Sequence, residues 1–283
     1  MLEGYTLKSK LLTLLLTGLI VFTGTASADT IYTTNEQDSV NCATPLNLNQ
    51  KNVKVLYESE ATKDVDKLYN NAKEGKGHLK KDELAKFTKG EVILEGEGKT
   101  NEGKNKKVTV ETIATSELIK KYEVDGVIHE EIAVTQFATP TAEQFEFTTM
   151  AADSNSGGVV DSTSSVRAYS TNYFNRTYAN GQNNCIDLTS VAGGWTIYDS
   201  QVSVGTKRVN WGQTGRRCDN GAGITQSSSY QYPGGLAYSY TVPSSWVGVS
   251  LTATATNVGH SSRAELVRGG SIWVLTWTNN VLR

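Results

Sequence analysis

The chain has 283 residues, with 27 Lys and Arg against 29 Asp and Glu, for a formal net charge of −2 at pH 7. A balance this even leaves no electrostatic footprint for nucleic acid or for an anionic membrane surface. With 4 Pro and 26 Gly, the glycines mainly in the second half, the composition excludes a disordered Pro-rich spacer and points to a folded, turn-rich protein of one or two domains.

The first 28 residues read as a secretory signal peptide. Lys8 and Lys10 form a basic start, Leu11 to Phe22 is an apolar run, and Ala26-Ser27-Ala28 offers a small-x-small cleavage site. Twelve apolar residues are too few to cross a hydrocarbon core, which needs about 20. Cleavage after Ala28 is therefore expected. The mature chain is expected to be secreted, with no transmembrane segment.

Composition changes sharply near residue 150. Asp29 to Met150 holds 22 acidic and 16 basic residues, whereas Ala151 to Arg283 holds 6 acidic and 9 basic. The halves thus carry −6 and +3. All five Trp lie in the second half, where Lys207 is the only Lys. Such a shift reads as a domain boundary. The expected organisation is a signal peptide (1–28), an N-terminal extension (29–48), a charged α+β domain (49–147), a Gly- and Ser-rich linker (148–163) and an all-β domain (164–283).

In the first domain, Val65, Leu68 and Tyr69 have helical spacing within Thr62 to Ala72, behind a capping Thr62 or Asp64. Lys80 to Phe87 repeats the pattern with Leu84 and Phe87. Glu91 to Glu95, Lys107 to Ala114 and Val127 to Phe137 read as strands, and Asp125-Gly126 marks a hairpin. The second domain is a run of short strands. Tyr169 to Tyr178 is one, and Trp195 to Val204 is another. Leu236, Tyr238, Tyr240 and Val242 alternate with small polar residues, as do Val247, Val249, Leu251, Ala253 and Ala255. Ser271 to Thr278 places Trp273, Leu275 and Trp277 on one face and Ile272 and Val274 on the other. The fold class that follows is a small α+β domain followed by an antiparallel β-sandwich or jelly-roll-like domain.

Of the three cysteines, Cys185 and Cys218 share the β half and flank turn-forming residues. A disulfide between them is expected in an oxidising compartment, contributing about 3–4 kcal/mol by chain entropy. Cys42 is left over.

The residue patterns for chemistry are sparse. A serine hydrolase needs a nucleophile, a base and a group that orients the base. The β half has a single His, His260, and no G-x-S-x-G elbow. A glycosidase needs two facing carboxyls. The candidates are Asp161, Asp187, Asp199, Asp219 and Glu265, of which Glu265 reads as the ion-pair partner of Arg263 or Arg268. His129-Glu130-Glu131 lacks the second His of a zinc motif, and Asp219-Asn220-Gly221 reads as an ordinary turn rather than a Ca²⁺ loop. No metal or cofactor is expected, and an enzyme ranks below a binding protein.

What stands out is a β half rich in Tyr, Trp, Asn, Gln and Arg, the composition of recognition surfaces. Trp195, Trp273 and Trp277 are assigned to the core. Trp211, Tyr230, Tyr232 and Trp246 sit beside Gly, Ser, Asn or Pro and are expected on exposed loops, with Arg216 and Arg217 beside them. The leading functional expectation is a secreted binding or adhesion protein with a carbohydrate or cell-envelope ligand. The alternatives are a toxin or antimicrobial precursor whose acidic half is a pro-region, and a secreted hydrolase.

Overall fold

The computed structural model describes residues 52–99, 105–140, 144, 166–179, 182–253, 255–268 and 271–282. The expected leader and its cleavage site, the extension, Cys42 and the linker lie outside these residues.

In chain order the elements are β1 (Val53–Glu58), α1 (Val65–Lys73), α2 (Lys81–Phe87), β2 (Glu91–Lys99), β3 (Asn105–Thr109), β4 (Thr112–Val124) and β5 (Val127–Ala138). There follow β6 (Val166–Ala179), β7 (Gln182–Ile197), β8 (Val202–Arg216), β9 (Gly223–Ser227), β10 (Ala237–Thr241), β11 (Val249–Ser250), β12 (Asn257–Arg268) and β13 (Ser271–Leu282). The strands form two antiparallel sheets. A seven-stranded sheet runs β1-β4-β5-β6-β7-β10, with β11 also on β7. A six-stranded sheet runs β3-β2-β13-β12-β8-β9.

Period-two alternation explains how the sheets face each other. On β13, Trp273, Leu275 and Trp277 are buried, and on β8 so are Val209 and Trp211. They pack in one apolar cluster with Ile132, Val134, Phe174, Leu188 and Trp195 of the seven-stranded sheet. This is a sandwich-like core filled from both inner faces.

The two short helices cover surface that strands leave open. Asp64 caps α1, its carboxylate accepting from the N–H groups of Asp66 and Lys67 at 3.0 Å each. Leu68 and Ala72 then pack on Phe137, and Tyr69 meets that ring edge-on at 5.3 Å. Phe87 of α2 belongs to the core cluster and packs against Phe174 at 5.6 Å. After α2 the chain passes so close to β13 that a Cβ on Gly90 would lie 1.7 Å from the Thr278 carbonyl oxygen. Only glycine fits there.

The expectation of two separately built domains finds no support in this arrangement. β5 pairs with β6 from Ile128–Tyr178 to Ala138–Ala168, and β13 pairs with β2 from Trp273–Gly96 to Thr278–Glu91. Strands from before and after the compositional break therefore share both sheets. All the described residues fall within one unit, Ser39–Arg283. The α+β character of the first half reduces to two helices laid on strands that belong to the common sandwich.

Several local expectations are corrected too. The proposed strand Lys107 to Ala114 is divided between β3 and β4. Trp195 to Val204 is broken by a turn, where the Asp199 carboxylate accepts from the Gln201 N–H at 2.9 Å. Among the described residues of the alternating stretch after Val247, only Val249–Ser250 is a strand. The Asp125-Gly126 turn joins β4 to β5 with positive φ at both residues, 50° and 82°. The disulfide expected between Cys185 and Cys218 is formed, with Cα atoms 6.1 Å apart.

Candidate binding face

The outer face of the six-stranded sheet is set by the same alternation that builds the core. On β8, Val209, Trp211 and Gln213 point inward and are buried, so Arg208 and Asn210 point out. On β12, Ser262 and Ala264 are buried, leaving Ser261 and Arg263 outside. On β13, Thr276 and Thr278 alternate with the buried aromatics.

Register aligns these residues into rows. Arg208 stands opposite Arg263, which stands opposite Thr276. Asn210 stands opposite Ser261, which stands opposite Thr278. Beyond β9 the chain continues along the edge of β8. The Ser228 N–H donates to the Trp211 carbonyl at 2.9 Å, and Val209 and Gln231 exchange backbone hydrogen bonds of 2.8 Å. That pairing puts Gln231 on the inward side with Val209. Tyr230 and Tyr232, on either side of it, therefore join the outer face beside Arg208 and Asn210. They are 43% and 68% exposed. The Arg208 guanidinium lies over the Tyr230 ring, 4.8 Å from its centre.

The arginines on this face differ in their partners. Arg263 reaches Glu265 at 3.4 Å, a contact at the long end of hydrogen bonding. Arg208 has no carboxylate partner among the described residues; the Tyr230 ring is its neighbour. Two like charges directly opposite on adjacent strands disfavour the fold slightly. The face thus offers two aromatic rings, two forked cations and a row of short hydroxyl and amide groups.

The structure treats the six expected binding residues differently. Tyr230 and Tyr232 are exposed and together. Trp211, expected on an exposed loop, is on β8, 6% exposed, and stacks on Tyr240 at 5.1 Å inside the sandwich. Trp246 is half-buried against the core cluster. Arg216 is exposed at the end of β8, eight residues or about 26 Å along the strand from Arg208. Arg217 is held by Asp219, its Nε donating at 2.8 Å. Arg208, Asn210 and Arg263 were not among the binding residues expected from the sequence. The alternation in Arg208-Val209-Asn210-Trp211 carried the signal, since it sends Trp211 in with Val209 and Arg208 out.

A second polar constellation lies inside the core. His260 Nε2 is 3.0 Å from Ser170 Oγ and 2.9 Å from the Tyr238 hydroxyl, and His260 Nδ1 is 2.6 Å from Asn172 Oδ1. Asn279 donates to Ser170 Oγ at 3.0 Å, and Asn172 donates to the Asn279 carbonyl at 3.1 Å. Serine, histidine and an orienting amide in this order resemble a nucleophile, a base and its support. However, Ser170, His260 and Asn172 are only 1%, 2% and 0% exposed. Burial pushes the His260 imidazole down to about 3, so it is neutral. The group works as a hydrogen-bonded key between the two sheets. The keyed fit extends to Gly193, where a Cβ would lie 2.3 Å from the Tyr238 hydroxyl oxygen.

Several other titratable groups are tied into structure. Arg176 donates to Glu130 at 3.0 and 2.7 Å and to Glu83 of α2 at 2.5 Å, and Lys121 lies 2.9 Å from Glu130. Burial alone would raise Glu130, but the His78 ring 3.7 Å away, hydrogen bonds from Lys121 and Arg176, and the charge of Arg176 hold it well below the usual carboxylate range. This cluster fastens α2 to the seven-stranded sheet. Among the glycosidase candidates, Asp199, Asp219 and Glu265 each pair with an arginine. Asp187 is different. Burial raises it to about 6, against a hydrogen bond from Gln213 at 3.0 Å. Asp161 lies outside the described residues.

Among the described residues no helix is long and apolar enough to cross a membrane. The chain matches no protein-family model, and no curated protein and no solved structure is significantly similar to it.

Proposed function

We propose that this chain is an exported binding protein that engages a glycan or cell-envelope ligand through the outer face of its six-stranded sheet. The observation that carries this reading is the grouping of Tyr230, Tyr232, Arg208 and Arg263 on one rigid surface. Exposed tyrosine rings give sugar faces an apolar platform at low entropic cost. Asn210, Ser261, Thr276 and Thr278 offer donors and acceptors suited to hydroxyls. The apolar leader and the disulfide support export.

The precursor reading fares less well. A cut between residues 148 and 163 would leave the two halves joined by the β5–β6 and β13–β2 ladders, so no β module would be released. The hydrolase reading has Ser170 and His260 in contact, but sealed in the core.

A glycan array probed with the wild-type protein and with Tyr230→Ala/Tyr232→Ala tests the proposal. Stacking losses predict about a tenfold or greater drop for the double variant, with unchanged thermal stability. Undiminished binding by that variant would refute this face as the site.

A further inference from the structure

We infer that the ligand group received by this face is an oxyanion carried on a saccharide, a carboxylate or a sulfate, seated between Arg208 and Arg263; the inference rests on the glycan reading above. Arg208 and Arg263 are directly opposite on β8 and β12, so their Cβ atoms are about 5 Å apart on the same side of the sheet. Two guanidinium stems starting that close together can converge their forks on one oxyanion. Each fork matches the two-oxygen edge of such a group.

The local charge balance points the same way. Glu265 offsets Arg263 across 3.4 Å, and the neighbouring Lys107–Glu95 pair offsets itself at 3.3 Å. Arg208 is left without a carboxylate partner among the described residues. Its guanidinium is held by the Tyr230 ring rather than by an acid, which positions it without cancelling its charge. A bound anion would relieve the Arg208–Arg263 repulsion, and the tyrosines beside it would take the sugar ring. A neutral glycan would leave that repulsion in place.

The test is a titration of the full-length mature protein by calorimetry against paired polymers. Polygalacturonate is compared with its carboxyl-reduced form, dextran sulfate with dextran, and poly-glutamate serves as a sugar-free polyanion. At least one charged polysaccharide should bind about tenfold or more tightly than its neutral partner. Arg208→Gln and Arg263→Gln should each lose most of that preference, and Glu265→Gln should strengthen binding. Thermal melts verify that each variant is folded. Neutral and charged forms binding alike, with the arginine variants unaffected and Tyr230→Ala weakened, would overturn the oxyanion inference while leaving the glycan reading standing. Poly-glutamate binding as well as the polysaccharides, indifferent to Tyr230→Ala and Tyr232→Ala, would overturn the saccharide reading. Absence of binding to every polymer would overturn both.

Discussion

His260 makes the stability of the sandwich sensitive to acid, in a way that can be isolated by mutation. Its imidazole is buried between the sheets and its folded value falls from 6.5 to about 3. Above pH 6.5 neither the folded nor the unfolded chain protonates it, and it contributes no pH dependence. As pH falls below 6.5 the unfolded chain takes up a proton that the folded chain cannot accept until about pH 3. Stability therefore drops through that window. Each pH unit is worth about 1.4 kcal/mol, so two units, from 6.5 to 4.5, cost about 3 kcal/mol. Asp187, raised to about 6, acts in the opposite direction, because its folded form gains a proton first as the pH falls. A plain wild-type pH profile mixes these contributions, so the informative quantity is a difference. Urea unfolding of wild type and His260→Gln at pH 8 and pH 4.5 should show the stability gap between them shrinking by about 3 kcal/mol in acid. Asp187 and the other titrating groups cancel in that comparison. In parallel, the His260 ring resonances of wild type should not move between pH 8 and 4.5. A gap that stays constant, or a His260 ring that titrates near 6.5, would refute the account of this network as a sealed, neutral key.

Three further outcomes follow from the packing. A protease site placed at residues 154–158 and cut should leave two fragments that co-elute on native gel filtration and separate in SDS without reductant, because both cysteines of the disulfide lie in the second fragment; fragments that part under native conditions would contradict the shared sheets. Trp277→Ala, which empties a 2%-exposed core position, should cost about 3–5 kcal/mol in urea unfolding, while Tyr232→Ala should stay within about 0.5 kcal/mol. Cys185→Ser/Cys218→Ser opens a loop of 33-residue separation and should lower stability by about 3–4 kcal/mol, measured against oxidised wild type.

The parts of the fold that were legible in the sequence are those set by neighbouring residues. Asp125-Gly126 announced its hairpin, Ser271 to Thr278 assigned each side chain to its face, and Val65-Leu68 and Leu84-Phe87 marked both helices. Sheet membership was not legible, because composition does not report it. Most of the described Asp, Glu and Lys residues of the first half are exposed, as on β1 and the two helices, while its inward residues, Val92, Leu94, Ile132 and Val134, are as apolar as those of the second half. The charge break near residue 150 thus marks a change in exterior, not in core. β1 itself was missed since Val55, Leu56 and Tyr57 are all exposed and show no alternation in burial. In the candidate site, glycine and asparagine around Trp211 gave a loop reading, yet β8 carries both residue types through a long strand. The cross-strand meeting of Arg208 with Arg263 spans 55 positions in sequence and emerges only from the register.

The most direct test of the binding face is an NMR titration of the ¹⁵N-labelled protein with a galacturonate oligomer, following the arginine side-chain Nε–H and backbone signals. The Nε–H resonances of Arg208 and Arg263 should shift together, with backbone changes at Asn210, Tyr230, Tyr232 and Ser261 and none at Arg217 or Trp246. Shifts centred on Arg216, Arg217 or Trp246, or a spectrum unchanged by a large excess of both the galacturonate oligomer and a sulfated dextran oligomer, would contradict this binding face.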